Sequence, residues 1–392
     1  MWTILLISFI QMPQFAILPG TNLIATKVFP ELALQAIQTA MALPGIIAVV
    51  TGVSAAMMVR YGLASKKTVT IIGLMLIVLT GVVAFLLHTR FWQLCLMNIL
   101  IGGGMGIFVP SAQSIMFDNF DEKMRQFIMG VSFSFINIGG VVMSLLCGLL
   151  TTIVWYGGHL QMLIALPIAV IAILIIPKDK RMRSEPGKGA ARTKLPLSVY
   201  YYSVLIVIFM IIYNVATVNI STYLEQSSIG DSSTAGIATA LLMGGGVAVG
   251  FIFPKLSQIL RDYLFAISFI LIAVGFTLMN LFPASLVIIF IAMFISGTTM
   301  CLLVPRCIFN VSNHTDPTNS ATATMLVCCV APGGGHFLSP VIMTNLTLAL
   351  GGESTRYRFQ FTAIVSLALA VILFLYHWRS EARHHVGIIR RV

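Results

Sequence analysis

The stretch Asn98-Ile99-Leu100-Ile101-Gly102-Gly103-Gly104-Met105-Gly106-Ile107-Phe108-Val109-Pro110 returns 195 residues later as Met293-Phe294-Ile295-Ser296-Gly297-Thr298-Thr299-Met300-Cys301-Leu302-Leu303-Val304-Pro305. The same offset holds without a gap over 98–145 and 293–340, so Gly139, Gly140 and Ser144 meet Gly334, Gly335 and Ser339. A second stretch agrees at an offset of 200, where Ile37, Thr39, Ala40, Gly45, Ala48 and Val49 meet Ile237, Thr239, Ala240, Gly245, Ala248 and Val249. Two homologous halves imply a pseudo-two-fold protein, and a ligand of such a protein belongs between the halves.

The surroundings of the repeat are apolar throughout. Hydrophobic residues make up 58% of the 392-residue chain and charged residues 9%, against about 25% charged in a soluble domain. Runs long enough to cross a bilayer, about 20 residues each, are predicted at 3–27, 34–59, 68–88, 92–117, 125–153, 159–177, 197–224, 233–259, 263–282, 285–312, 319–348 and 358–378. The expectation is an all-α integral membrane protein of twelve helices: a six-helix bundle over 1–177, a linker over 178–196, a second bundle over 197–378 and a tail over 379–392. Pro13, Pro19, Gly20 and Pro30 interrupt the first spans. No basic lead or small-residue cleavage site precedes Gln11, so the opening segment reads as a membrane helix and not a signal peptide.

Charge orients the bundle. Eighteen of the 23 basic residues fall in even-numbered loops or the tail, among them Lys66, Lys67, Lys178, Lys180, Arg181, Lys255 and Arg261. Lys27, Arg90, Arg356 and Arg358 fall on the other side. The positive-inside rule then puts both termini and the 178–194 loop in the cytoplasm, as for a protein of a plasma or bacterial inner membrane. The net charge of +11 is spread over several loops, so nucleic acid is not an implied partner. All six cysteines lie in predicted spans without metal-ligand spacing and read as small packing residues. No metal or cofactor is expected.

Twelve helices, a six-plus-six repeat and a basic central loop resemble the major facilitator superfamily over essentially the whole chain. After the second helix that family carries Gly-x-x-x-Asp-Arg-x-Gly-Arg-Lys. Here the loop reads Val59-Arg60-Tyr61-Gly62-Leu63-Ala64-Ser65-Lys66-Lys67. Arg60, Gly62 and the lysine pair are similar, but Val59 stands where the family has the Asp that latches the outward-facing state. Asp118 and Arg125 resemble the family's acidic-x6-Arg pair, which clips two helix ends together. The resemblance thus implies gating roles for Arg60, Gly62 and Arg125. Drug–proton antiporters of the family place an Arg before the Gly-rich stretch of the fourth helix, and Asn98 stands there instead. Their fifth-helix Gly-Pro pair is replaced by Met143-Ser144.

The residues that could carry chemistry are few. No Asp or Glu lies in the middle of a predicted span, although intramembrane carboxylates are the usual proton carriers. If protons are the coupling ion, Asp118, Glu225 or His336 must carry them, or the solute does. Arg306 follows Pro305 in the tenth span, about 9 Å from its end at ~1.5 Å per residue. Thr299, Arg306, Asn310 and Asn313 share one helical face, which should point at protein or a water-filled cavity. Arg306 reads equally as an anchor for an anionic or carbonyl group and as a cation snorkelling to the surface. Met210, Tyr213, Asn214, Thr217 and Ser221 form a stripe on the seventh span; Gln11, Gln14, Thr21 and Asn22 form one on the first, and Ser134 and Asn137 join from the fifth. The family lines its central cavity with helices one, four, seven and ten. Each polar residue alone is equally well an interhelical hydrogen bond of about 0.6 kcal/mol.

The glycine runs at 102–104, 244–246 and 333–335 lack the Gly-Lys-Ser/Thr ending of a phosphate loop, so ATP is not implied. The triplets beginning at Asn219, Asn310 and Asn345 lie within spans and carry no glycosylation message. There is no carboxylate pair, metal cluster or nucleophile–base pair to suggest an enzyme. The expectation is a monomeric secondary transporter, not an enzyme, that exports a small amphipathic or lipophilic solute by alternating access. Uptake or exchange of an organic anion anchored by Arg306 is the alternative. A non-transporting sensor or scaffold is the alternative from another class.

Overall fold

The computed structural model describes residues 2–61, 63–119, 122–176, 195–313, 315, 323, 325–352 and 354–389. Gly62 and most of the linker, 178–194, lie outside them, as do the side chains of Arg60, Asp118, Arg125 and Asn313. Among the described residues eleven helices are long and apolar enough to cross a membrane, and a broken segment precedes them.

That first segment, α1, replaces the continuous span expected over 3–27. It consists of Trp2–Phe9, Pro13–Ala16, a 3-10 turn Leu18–Gly20, Thr21–Leu23 and a π-turn Ile24–Val28. Pro13 and Pro19 lack amide hydrogens and clash with the preceding turn, so one regular helix cannot pass through both. The π-turn closes with Phe29 N donating to Ile24 O at 3.0 Å. The first half continues as α2 (Leu34–Arg60), α3 (Lys66–Leu86), α4 (Phe91–Asn119), α5 (Glu122–Ile153) and α6 (Gly157–Ile175). The second contains α7 (Leu197–Gln226), α8 (Ser232–Leu260), α9 (Tyr263–Leu281), α10 (Leu286–Asn313), α11 (Leu326–Ala349) and α12 (Thr355–Ile389). α12 runs on through most of the segment expected as a tail. Ser65 caps α3, its Oγ accepting Thr68 N at 3.1 Å, and Asp231 caps α8, its Oδ1 accepting Thr234 N at 2.9 Å.

Gly102 and Gly297, equivalent in the repeat, mark equivalent helix crossings, whereas Gly334, the counterpart of Gly139, has nothing within 4 Å of an added Cβ. A Cβ on Gly102 would stand 2.6 Å from Pro44 O, where α4 crosses α2; one on Gly297 would collide with Leu242 O, where α10 crosses α8. Gly139 likewise admits the Phe9 backbone of α1 against α5. Gly335 admits Val207 and Met210 of α7 against α11, with Val207 O at 2.8 Å. Small residues let backbones approach closely, which is how helices gain contact in lipid.

The halves meet along α2 with α11 and α5 with α8. Gly45 faces Gly333 O at 2.6 Å, and Gly236 faces Ser144 O at 2.8 Å, both measured from an added Cβ. Hydrogen bonds between the halves gather toward the 29–33, 227–231 and 350–354 loops. There Gln35 Nε2 donates to Asn345 Oδ1 at 2.9 Å, and Ser221 Oγ donates to Pro19 O at 2.8 Å. These bonds join the halves at this end, the sealed face.

Candidate functional site

Two helices of the second half bring polar side chains together at mid-helix. On α7, Asn214 Nδ2 donates to Met210 O at 2.7 Å, which turns Oδ1 toward α11. His336 Nδ1 lies 2.8 Å from that oxygen. Because Oδ1 can only accept, Nδ1 carries the proton and donates. Thr217 Oγ1 completes the group, 3.1 Å from Asn214 O and 3.2 Å from its Oδ1. Phe15 of α1, from the other half, meets the His336 ring edge-on at 5.3 Å. His336 is only 2% exposed, and its Nε2 has no protein partner. A solute donor or a proton could therefore be taken there without disturbing the Asn214 bond.

The first half adds fewer free groups. Gln14 Oε1 is buried without a protein partner, and Gln11 is buried. Asn137 of α5 reaches across to Cys301 of α10, Nδ2 to Sγ at 3.9 Å. Asn98 is already engaged: His159 Nε2 lies 3.2 Å from its Oδ1, and its Nδ2 points at Met41 Sδ at 3.7 Å. Tyr213 is buried and stacks on Phe209 at 5.6 Å. Thr299 donates back to Ser296 O at 2.6 Å within its own helix.

The α10 stripe does not reach this centre as a free cationic anchor. Arg306 Nε pairs with Asp262 Oδ1 at 2.9 Å and its Nη1 donates to Ser257 Oγ at 3.2 Å. Asn310 Nδ2 lies 2.9 Å from the same Asp262 oxygen and 2.9 Å from Tyr202 Oη. The periodicity correctly put Arg306 and Asn310 on one face. That face closes onto the loop between α8 and α9, whose Asp262 supplies the counter-charge.

Glu225 also stands apart from His336. With Asn22, Thr26, Thr222, Gln226, Leu32, Leu34 and Ala25 it lines a cavity of about 350 Å³ at the sealed face. Immediately inward lie three residues that the sequence reading did not place in any site. Gln38 Nε2 and Arg358 Nη1 each stand 3.0 Å from Asn219 Oδ1. The available signal was a polar residue on each of three helices near one membrane depth. Nothing in the sequence said that they converge.

The pattern of the Major Facilitator Superfamily matches residues 2–328, and the chain belongs to that family. It is therefore an integral membrane transporter, and not an enzyme. No protein among the curated sequences matches it. Among solved structures it is similar to a POT family transporter in complex with a thioalcohol-conjugated peptide, at 12% identity and a TM-score of 0.76 over 96% of each chain. It is also similar to the nucleoside transporter NupG, at 14% identity and a TM-score of 0.73 over 95% of this chain and 97% of that one. A bacterial homologue of the human lysosomal transporter Spinster, in an inward-facing and occupied conformation, matches at 17% identity with a TM-score of 0.68 over 96% of each chain. At such identities the likeness carries the fold and leaves the solute open.

Proposed function

We propose that this chain exports a small amphipathic or lipophilic solute by alternating access, its two halves rocking about a site between α1, α5, α7 and α11. The observation that carries the reading is the His336–Asn214 pair meeting Phe15 where the halves touch. It offers hydrogen bonding in an apolar surround and no bare charge. Two cations within the described spans support the same solute class: Arg306 pairs with Asp262 and Arg358 donates to Asn219. Among the described residues a strongly anionic solute would find no unoccupied guanidinium beside His336, so the organic-anion alternative gains no support from Arg306.

His336 is the residue proposed to couple transport to protons. Its Nε2, which has no protein partner, can take a proton while Nδ1 goes on donating to Asn214. The charge asymmetry supports a location in a plasma or bacterial inner membrane with both termini cytoplasmic, which puts the sealed face outside.

The test is accumulation of ethidium and rhodamine-type dyes in everted vesicles, before and after collapse of the proton gradient. Gradient-dependent accumulation is the expected result. Failure of every dye to accumulate, with folded protein in the vesicles, overturns the export reading.

A further inference from the structure

Asn219 sits at the junction of three helices. Its Nδ2 donates to Val215 O at 2.9 Å, which fixes the amide plane and leaves Oδ1 as an acceptor with two lone pairs. One is taken at 3.0 Å by Arg358 Nη1, from α12 of the same half. The other is taken at 3.0 Å by Gln38 Nε2, from α2 of the opposite half. All three residues are buried, at 0% exposure for Gln38, 3% for Asn219 and 5% for Arg358.

Arg358 is not free to leave. Phe359 beside it is wedged edge-on between Tyr223 at 5.2 Å and Phe276 at 5.1 Å, and Thr362 Oγ1 donates to Arg358 O at 2.6 Å. The backbone that carries Arg358 is thus held in place, and its guanidinium polarises the Asn219 carbonyl; a hydrogen bond from a charged donor is stronger than a neutral one. The bond across the halves is the neutral Gln38 one, the weaker of the two. Closure also leaves Gln38 Oε1 and Arg358 Nε buried without a protein partner, so the shut state carries a penalty that hydration on opening relieves.

The location fits a gate. Leu34, one turn before Gln38 on α2, and Thr222, one turn beyond Asn219 on α7, both line the cavity at the sealed face. The repeat supplies no second copy, because Ala238 stands at the position equivalent to Gln38.

We infer that Gln38, Asn219 and Arg358 are the lock that holds the sealed face shut, Arg358 acting as a positioning residue that strengthens Asn219 as the acceptor for Gln38. The inference rests on the alternating-access reading above. It commits the lock to one bond that forms and breaks, Gln38 to Asn219, and one that persists, Arg358 to Asn219.

The experiment is a spin–spin distance measurement across the sealed face of the full chain in lipid nanodiscs. Labels go at Glu31→Cys and Leu350→Cys, both exposed, with the chain bearing only its native cysteines as the blank. The unaltered protein is expected to give a dominant short distance and a minor long one. Gln38→Ala raises the long-to-short ratio by roughly fivefold, as for loss of one ordinary hydrogen bond. Arg358→Lys moves the ratio in the same direction, and the double variant goes no further than Gln38→Ala. Gln38→Glu, which sets a carboxylate beside the buried guanidinium, lowers the ratio. If Arg358→Lys does not fold, the opposite signs of the two Gln38 variants carry the test. Two distances that ignore the Gln38 substitutions overturn the lock alone. One unchanging distance in every variant overturns the rocking reading and the lock with it.

Discussion

Arg306 Nε stands 2.9 Å from Asp262 Oδ1, and Asn310 Nδ2 reaches the same oxygen at 2.9 Å. The guanidinium lies over the Phe309 ring, 5.4 Å from its centroid. An arginine that reads in sequence equally as a solute anchor and as a snorkelling cation thus clasps α10 to the loop between α8 and α9.

Substituting Asp262→Ala should therefore act on stability first. Arg306 is 13% exposed and Asp262 33%, so solvent screening keeps the loss at about 1–2 kcal/mol. Thermal unfolding in detergent measures it. A solute anchor would behave differently: Arg306→Lys would raise KM for the solute with the unfolding midpoint unchanged, and that result would return Arg306 to the site.

His336→Gln should keep the contact to Asn214 and remove the titrating ring. Dye accumulation in everted vesicles is then expected to lose its response to the proton gradient, while downhill movement of the same dye persists. Unchanged gradient dependence in His336→Gln would exclude His336 as the proton carrier and return attention to Asp118 and Glu225.

Glycines within the spans separate by what a methyl group would meet. Gly297→Ala drives a Cβ into the Leu242 carbonyl and should destabilise by about 1–3 kcal/mol through overpacking. Gly244 and Gly334 have nothing within 4 Å of an added Cβ, so alanine there should be neutral or stabilise by up to about 1 kcal/mol through helix propensity. Equal losses at Gly297 and Gly244 in a thermal-shift comparison would contradict the crossing geometry.

Asp231 gives a pH dependence outside the spans. The Thr234 backbone N–H, and then its hydroxyl, hold the carboxyl below the ordinary carboxylate range. A lowered folded-state pKa contributes stability that is present above the unfolded value of about 3.9 and is lost as pH falls through the folded value. Asp231→Asn keeps a capping oxygen and should flatten that acid limb, whereas Asp231→Ala should cost about 1 kcal/mol at neutral pH. Unfolding midpoints between pH 3 and 7 distinguish the three chains.

Much of the fold was legible because its causes are local. Hydropathy over about 20 residues marks a span whatever surrounds it, so eleven of the twelve predicted spans have a counterpart among the membrane-length helices, with most ends shifted by a few residues and some by up to nine. Pro13 and Pro19 signalled where the first one would break. The candidate site was legible in part: Asn214 and His336, named separately, turn out to be partners. The asparagine triplets show the limit. As glycosylation signals they carry nothing, yet Asn219 receives Gln38 and Arg358, Asn310 completes the Asp262 clasp, and Asn345 receives Gln35. Lys67, grouped by sequence with a family signature, donates from Nζ to Ile173 O at 2.7 Å at the end of α6.

The sequence by itself determined that the chain is helical, lies in a membrane, and is built as two related halves. Hydrophobic length, proline chemistry and the 195-residue offset are properties of the chain alone. Only the tertiary structure decided which polar groups meet. Helical periodicity fixes the face on which Arg306 or Asn219 lies, but a hydrogen bond needs its second partner within about 3 Å. Those partners come from segments 44 and 181 residues away, at depths and rotations set by helix packing. That packing turned Arg306 into a clasp, brought His336 to Asn214, and joined Gln38 and Arg358 on one oxygen of Asn219.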